Sequence, residues 1–184
     1  MLVAESAAVW ARWITRNQQS AGVWLRLAKA RASFKTLTYQ EALEVALCYG
    51  WIDGQKKSLD RESWLQKFTP RGPRSIWSEI NKRKALALIA RGRMRKAGLA
   101  AVEAAKASGR WDKAYASYGT ARVPNDLEAE LKARPLARRF FDSLDSRNRY
   151  AILFRLHGAA KPETRERRLK NFVSMLERQE KIYP

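Results

Sequence analysis

Residues 50–81, GWIDGQKKSLDRESWLQKFTPRGPRSIWSEIN, hold three of the chain's seven tryptophans, both prolines of a basic turn, and an aspartate, Asp53, close to Lys56 and Lys57. Apolar and polar residues alternate imperfectly over 51–59 and again over 63–69, with Asp60, Arg61 and Glu62 between them. That pattern predicts two strands of a hairpin. With strict alternation, Trp51 and Leu59 share a face with Asp53 and Gln55, while Trp64, Gln66 and Phe68 share one on the second strand. A carboxylate and a carboxamide among large rings mark either an exposed sheet face or a pocket wall. Asp53 reads first as a structural partner for nearby cations. It is a catalytic carboxylate only if a second acid joins it, and none sits at a telling spacing.

PRGPRS, residues 70–75, is a rigid turn with two arginines, Arg71 and Arg74, leading into a helix expected over about 76–91 with Ser75 as its cap. Arginines beside the free amides of a helix start make an anion site. The alternative is a turn pinned to Asp53 or another acid. On the helix, Trp77, Asn81, Ala85 and Leu88 fall on one side, so Asn81 points inward. The candidate anion-binding set is therefore Asp53, Gln55, Lys56, Lys57, Arg71, Arg74, Ser75, Trp77 and Asn81, with Arg165 from further along.

Upstream, Val9, Trp10, Trp13 and Ile14 predict an amphipathic helix over 4–17. In VWLRLA, Val23, Leu25 and Leu27 alternate against Trp24 and Arg26, a half-buried strand. Thr38 and Glu41 have the spacing of a capping box, opening a helix over about 39–49 that stops at Gly50. Cys48, in its last turn, reads as a small buried thiol.

Downstream, RGRMRK at 91–96 is a basic linker, and AGLAAVEAAKASG a second helix ending at Gly109. Trp111 and Tyr115 are expected to fold back on this first unit. From Val123 the pattern is wholly helical, with Pro124, Pro135 and Pro162 near helix starts and Asp145 or Ser146 as a cap. Leu169, Phe172, Val173 and Leu176 form a buried stripe in the last helix. Arg165 lies in line with it and needs a carboxylate or a bound anion. His157, after Tyr150, Leu153 and Phe154, reads as a core or helix-end histidine. One His, one Cys and scattered acids give no metal site, and no cofactor motif is present.

The fold class these elements define is α+β: a small antiparallel sheet of about three strands packed by helices over 1–120, then a helical region over 121–184. That region is expected to dock on the first. The chain carries a formal charge of +19 over 184 residues and is 46% hydrophobic, which excludes global disorder and suits an anionic partner. With one cysteine no intrachain disulfide forms. No window spans a bilayer, and MLVAESAAVWARW has no secretory pattern, so the expected location is cytoplasmic.

GWIDGQKKSLD, WLQKFTPRGPRSIWSEIN and KPETRERRLKNFVSMLERQEKIYP, with GVWLRLAK and YQEALEVALCYG, resemble the YdeI/OmpD-associated family of bacteriocin-protection proteins. The likeness runs from about residue 10 to 184. Its motifs fall on Trp51 to Lys57, on Thr69 to Ser75, and on Lys161 to Arg165. Gly72 stands where the family often has an arginine. The resemblance implies a cytoplasmic bacterial protein linked to bacteriocin tolerance and envelope stress, with an OmdA-type helical C-terminal region. It implies no catalytic residues.

Three functions follow as expectations. The leading one is a non-enzymatic tolerance protein that binds an anionic ligand or acidic protein partner through its basic pocket. A second is a nucleic-acid-binding protein using its basic surface. The third is a small-substrate enzyme with Asp53 as base and Arg71 and Arg74 as clamps.

Overall fold

The structure, a computed structural model, describes residues 1–184. The chain folds as two compact units, Met1–Ala114 and Tyr115–Pro184.

In the first unit a short strand, β1 (Leu2–Val3), precedes helix α1 (Ala7–Arg16), whose start is capped by the Ser6 hydroxyl accepting from the Val9 amide. Strand β2 (Val23–Ala28) follows, with Leu25 and Leu27 buried as the alternation requires. Helix α2 (Tyr39–Cys48) opens on the expected capping box: Thr38 and Glu41 satisfy each other's backbone amides. It stops at Gly50, whose φ of +75° is the left-handed geometry that ends helices. Strands β3 (Trp51–Ser58) and β4 (Ser63–Pro70) form the hairpin.

The sheet has four strands in the order β1-β2-β4-β3. Its class is the expected one, but it is mixed rather than purely antiparallel. The two-residue β1 pairs parallel to β2, and two residues are too few to carry a sequence pattern. A second correction concerns β3. Asp53 faces Phe68 and Lys56 faces Gln66, so Gly54 and Gln55 together oppose Lys67 in a β-bulge. The extra residue breaks the strict alternation assumed for Asp53 and Gln55. Gln66, only 3% exposed, repairs the broken ladder by donating its Nε2 to the carbonyls of Gly54 at 2.9 Å and Gln55 at 3.2 Å.

One face of the sheet meets α1 and α2. Trp10 lies at the centre, with Phe68 at 5.5 Å and Trp51 edge-on at 6.2 Å between ring centroids. Its indole N–H donates to the Ala42 carbonyl at 3.1 Å. A buried tryptophan of this kind is worth about 3–5 kcal/mol against alanine.

Helix α3 (Glu79–Ala90) begins later than expected, and its cap is Ser78, not Ser75. Asn81, Ala85 and Leu88 do turn inward, joined by Trp77 just before the helix. Helix α4 (Lys96–Ala107) crosses the end of α2 at very close range. A Cβ on Gly98 would lie 2.3 Å from the Cys48 carbonyl oxygen, and one on Gly50 would lie 2.7 Å from that of Ala97. Only glycine at both places lets the two backbones touch.

The second unit contains α5 (Asn125–Ala133), α6 (Pro135–Ser143), α7 (Ser146–His157) and α8 (Pro162–Glu177). Leu127, Leu131, Phe141, Ile152, Leu156, Val173 and Leu176 form its core. Asn148, 1% exposed, ties down the tail: its Oδ1 accepts from the Tyr183 amide at 2.8 Å and its Nδ2 donates to the Tyr183 carbonyl at 3.1 Å. Tyr115, expected on the first unit, instead packs edge-on against Phe154 in the second, 5.0 Å between centroids.

Candidate anion-binding pocket

The turn after β4 builds one wall of a pocket of about 300 Å³. Its backbone is held at two points: the Arg71 amide donates to the Gly50 carbonyl at 2.9 Å, and the Ser75 hydroxyl accepts from the Gly72 amide at 3.0 Å. The Arg71 guanidinium lies 3.6 Å over the Trp77 ring, and its Nη1 donates to the Ile76 carbonyl at 3.1 Å. Stacking on a buried ring holds the cation at the surface of the core.

Helix α4 supplies the opposite wall through Ala101, Ala104 and Ala105, whose short side chains leave room beside Trp77. Trp111 meets Trp77 edge-on at 4.9 Å, so the segment after α4 closes against the same ring. The Lys82 ammonium donates to the Trp111 carbonyl at 3.1 Å and fixes that segment. Arg110 is thereby brought to the pocket, and its Nε is buried without a hydrogen-bond partner. A buried donor left unpaired costs free energy that an anion entering the pocket would recover.

Of the residues expected here, Arg71, Ser75 and Trp77 line this pocket. Arg74 is exposed on the turn and is not part of the lining. Asn81 is buried just beyond, its amide N–H donating to the Ser78 hydroxyl at 3.1 Å. Asp53, Gln55, Lys56 and Lys57 lie elsewhere on β3. The Asp53 carboxylate accepts from the Tyr39 hydroxyl at 2.8 Å rather than from the lysines beside it. Lys56 and Lys57 sit over tryptophan rings, 4.3 Å from Trp64 and 4.7 Å from Trp24.

Arg165 belongs to the second unit, where the carboxylate it requires is Asp126, held through Nε at 2.6 Å and Nη2 at 2.9 Å. That pair occupies the arginine and removes it from the candidate set.

Arg110 is the pocket residue that sequence reading missed. The signal was available: a cation directly before a tryptophan, Trp111, that had to fold back on the first unit.

Burial pushes the Cys48 thiol above its ordinary range, the direction that disfavours the thiolate. His157 is exposed at the end of α7. Nowhere do three His, Cys, Asp or Glu side chains gather to hold a metal.

Geometry thus defines a basic two-unit protein: an α+β unit with an arginine-lined pocket, followed by a four-helix unit. The chain belongs to the family described as a domain of unknown function, DUF8412, which matches residues 2–101, and its residues 120–179 match the family described as Bacteriocin-protection, YdeI or OmpD-Associated. The likeness drawn over nearly the whole sequence therefore divides into two, with the pocket turn in the first match and the helical unit in the second. Comparison with curated proteins and with solved structures found no match. No helix is long and apolar enough to cross a membrane.

Proposed function

We propose that the protein is a non-enzymatic, cytoplasmic accessory in bacteriocin tolerance that binds an anion in the pocket between the 71–77 turn and α4. The C-terminal family match supports the link to bacteriocin protection. The observation that carries the binding reading is the buried, unpartnered Nε of Arg110 beside Arg71 and Trp77. Two cations select a carboxylate or phosphate. Trp77, Pro73 and three alanines select a flat apolar body attached to it. The ligand is thus an aromatic or similarly flat carboxylate or phosphate, or such a side chain on an acidic partner protein. A protein of charge +19 repels cationic peptides, so any protection against them is indirect.

The test is calorimetric titration of the full chain with phenyl phosphate, benzoate and inorganic phosphate. Phenyl phosphate should bind with a Kd of about 1 mM or below. Arg110→Ala should weaken it about tenfold or more, as expected for a hydrogen bond to a charged group. Inorganic phosphate should bind less well than its phenyl ester. Absence of saturable binding by any of the three, or an Arg110→Ala variant that binds like the parent, would overturn the reading.

A further inference from the structure

We infer that the face of the sheet turned away from α1 and α2 binds single-stranded nucleic acid, with Trp24 as the stacking platform. This rests on different residues from the pocket and stands independently of it.

Leu25, Leu27 and Phe68 point into the core, so their neighbours Trp24, Arg26, Leu65 and Lys67 must point to the other side. Beyond the bulge, Lys57 faces Leu65 and joins them. Trp24 is therefore not a core tryptophan. It is partly exposed on β2, and two lysines from two other strands converge on its ring: Lys57 at 4.7 Å and Lys67 at 5.6 Å. Nearby, Arg26 lies 4.5 Å over the Phe34 ring. The carboxylate in contact with this group is Asp60, already bonded to Arg26 at 3.0 Å. Neither Lys57 nor Lys67 has a carboxylate partner; both contact the Trp24 ring.

Two ammonium groups beside an aromatic face ask for anions and planar rings in alternation. A single strand supplies both, since its bases are free to stack while its phosphates run alongside. A duplex hides its ring faces, an acidic peptide brings carboxylates without an obligatory ring, and a lipid surface brings no ring at all. A base settling on Trp24 displaces the weak exposed cation–π contacts and releases Lys57 and Lys67 toward the flanking phosphates. The bulge at Gly54–Gln55 matters here, because it shifts the register that puts Lys57 on this face.

The experiment is fluorescence polarisation of the full chain with labelled oligo(U) and oligo(dT) of about 12 nucleotides, and with a duplex of the same length. Each is titrated at about 50 and 200 mM salt. A chain of charge +19 attracts any polyanion, so affinity alone decides nothing and the variants carry the result. Trp24→Ala should weaken single-strand binding about tenfold or more. The double variant Lys57→Gln, Lys67→Gln should reduce the slope of log K against log salt by about 1.4, two phosphate contacts at ~0.7 each. Arg110→Ala should leave both unchanged, which separates this surface from the pocket. Comparing oligo(U) with oligo(dT) assigns the strand as RNA or DNA. A folded Trp24→Ala variant that binds like the parent would overturn the inference. So would duplex binding as tight as single-strand binding, or polyglutamate competing as well as an unlabelled oligonucleotide. If Trp24→Ala fails to fold, the double lysine variant, on exposed or half-exposed positions, decides alone.

Discussion

Arg165 grips Asp126 from both sides of its carboxylate, Nε at 2.6 Å and Nη2 at 2.9 Å, while its third nitrogen donates to the Leu156 carbonyl at 2.9 Å. One side chain thereby ties α8 to the first turn of α5 and the last turn of α7. Both partners are about one-third exposed, so solvent screening moderates the pair. Arg165→Ala should cost the helical unit about 1–2 kcal/mol, read as a lower melting temperature. The pH dependence has a definite sign. The Arg165 hydrogen bonds hold the Asp126 carboxyl below its ordinary 3.8, against a smaller opposing effect of burial and with help from the Leu127 amide. A depressed carboxyl adds stability that is complete above the ordinary value and lost as pH falls through the lower, folded one. Melting curves of the parent and of Asp126→Asn should therefore converge as the pH drops below about 4.

Gln66 is a polar side chain in the middle of an apolar sheet face, and its reason for being there is the bulge. Gln66→Leu fills a similar volume but withdraws the donor from the Gly54 and Gln55 carbonyls. The expected loss is about 1–2 kcal/mol in urea unfolding, moderated because the bulge borders solvent and water can replace one bond. Amide exchange should quicken in β3 and stay slow in β2. An apolar substitution that stabilised the protein would show that the bulge carbonyls need no internal donor.

Gly98→Ala should be more damaging than its size suggests. The new methyl would meet the Cys48 carbonyl oxygen, a backbone atom that cannot rotate away. Overpacking of this kind costs about 1–3 kcal/mol, and it should weaken phenyl phosphate binding as well, because Ala101, Ala104 and Ala105 move with the helix. Gly119→Ala is the control: nothing lies within 4 Å of a Cβ at that position, and it is not part of the pocket lining.

Tyr39→Phe removes the hydroxyl that donates to Asp53 at 2.8 Å. A loss of about 1 kcal/mol in stability is expected, with anion binding unchanged, because Asp53 does not line the pocket. A variant that folded normally but lost ligand affinity would bring Asp53 back into the site.

What was legible in the sequence, and what was not, divides along physical lines. The hairpin, the Thr38 capping box, the stop at Gly50 and the four C-terminal helices are local events, each decided by a few neighbouring residues. The inward turn of Asn81, Ala85 and Leu88 follows from helical spacing alone, whereas Trp77 lies just before the helix and is placed by the turn. The bulge does not follow from spacing, because one inserted residue costs no visible change in composition yet moves Gln55 and the lysines relative to Asp53. Ser75 and Ser78 are both competent caps, and only the path of the chain through Trp77 chooses Ser78. Arg110 and Arg71 are 39 positions apart in sequence, and their shared pocket depends on α4 settling on two glycines whose role is purely spatial. Arg165 shows the limit from the other side: its need for an anion was legible, but whether a carboxylate or a ligand would answer it was not.

Strand β3 ends the sheet and offers its outer row of amides and carbonyls to any passing chain. Such a row is an invitation to fibre growth and to capture of extended peptides. Here Gly54 and Gln55 throw the row out of step, and Lys56 and Lys57 load it with charge, so a second strand finds neither register nor neutrality. Partners are thereby obliged to read this protein through its side chains, and concentrated solutions of it should resist templated aggregation along that border.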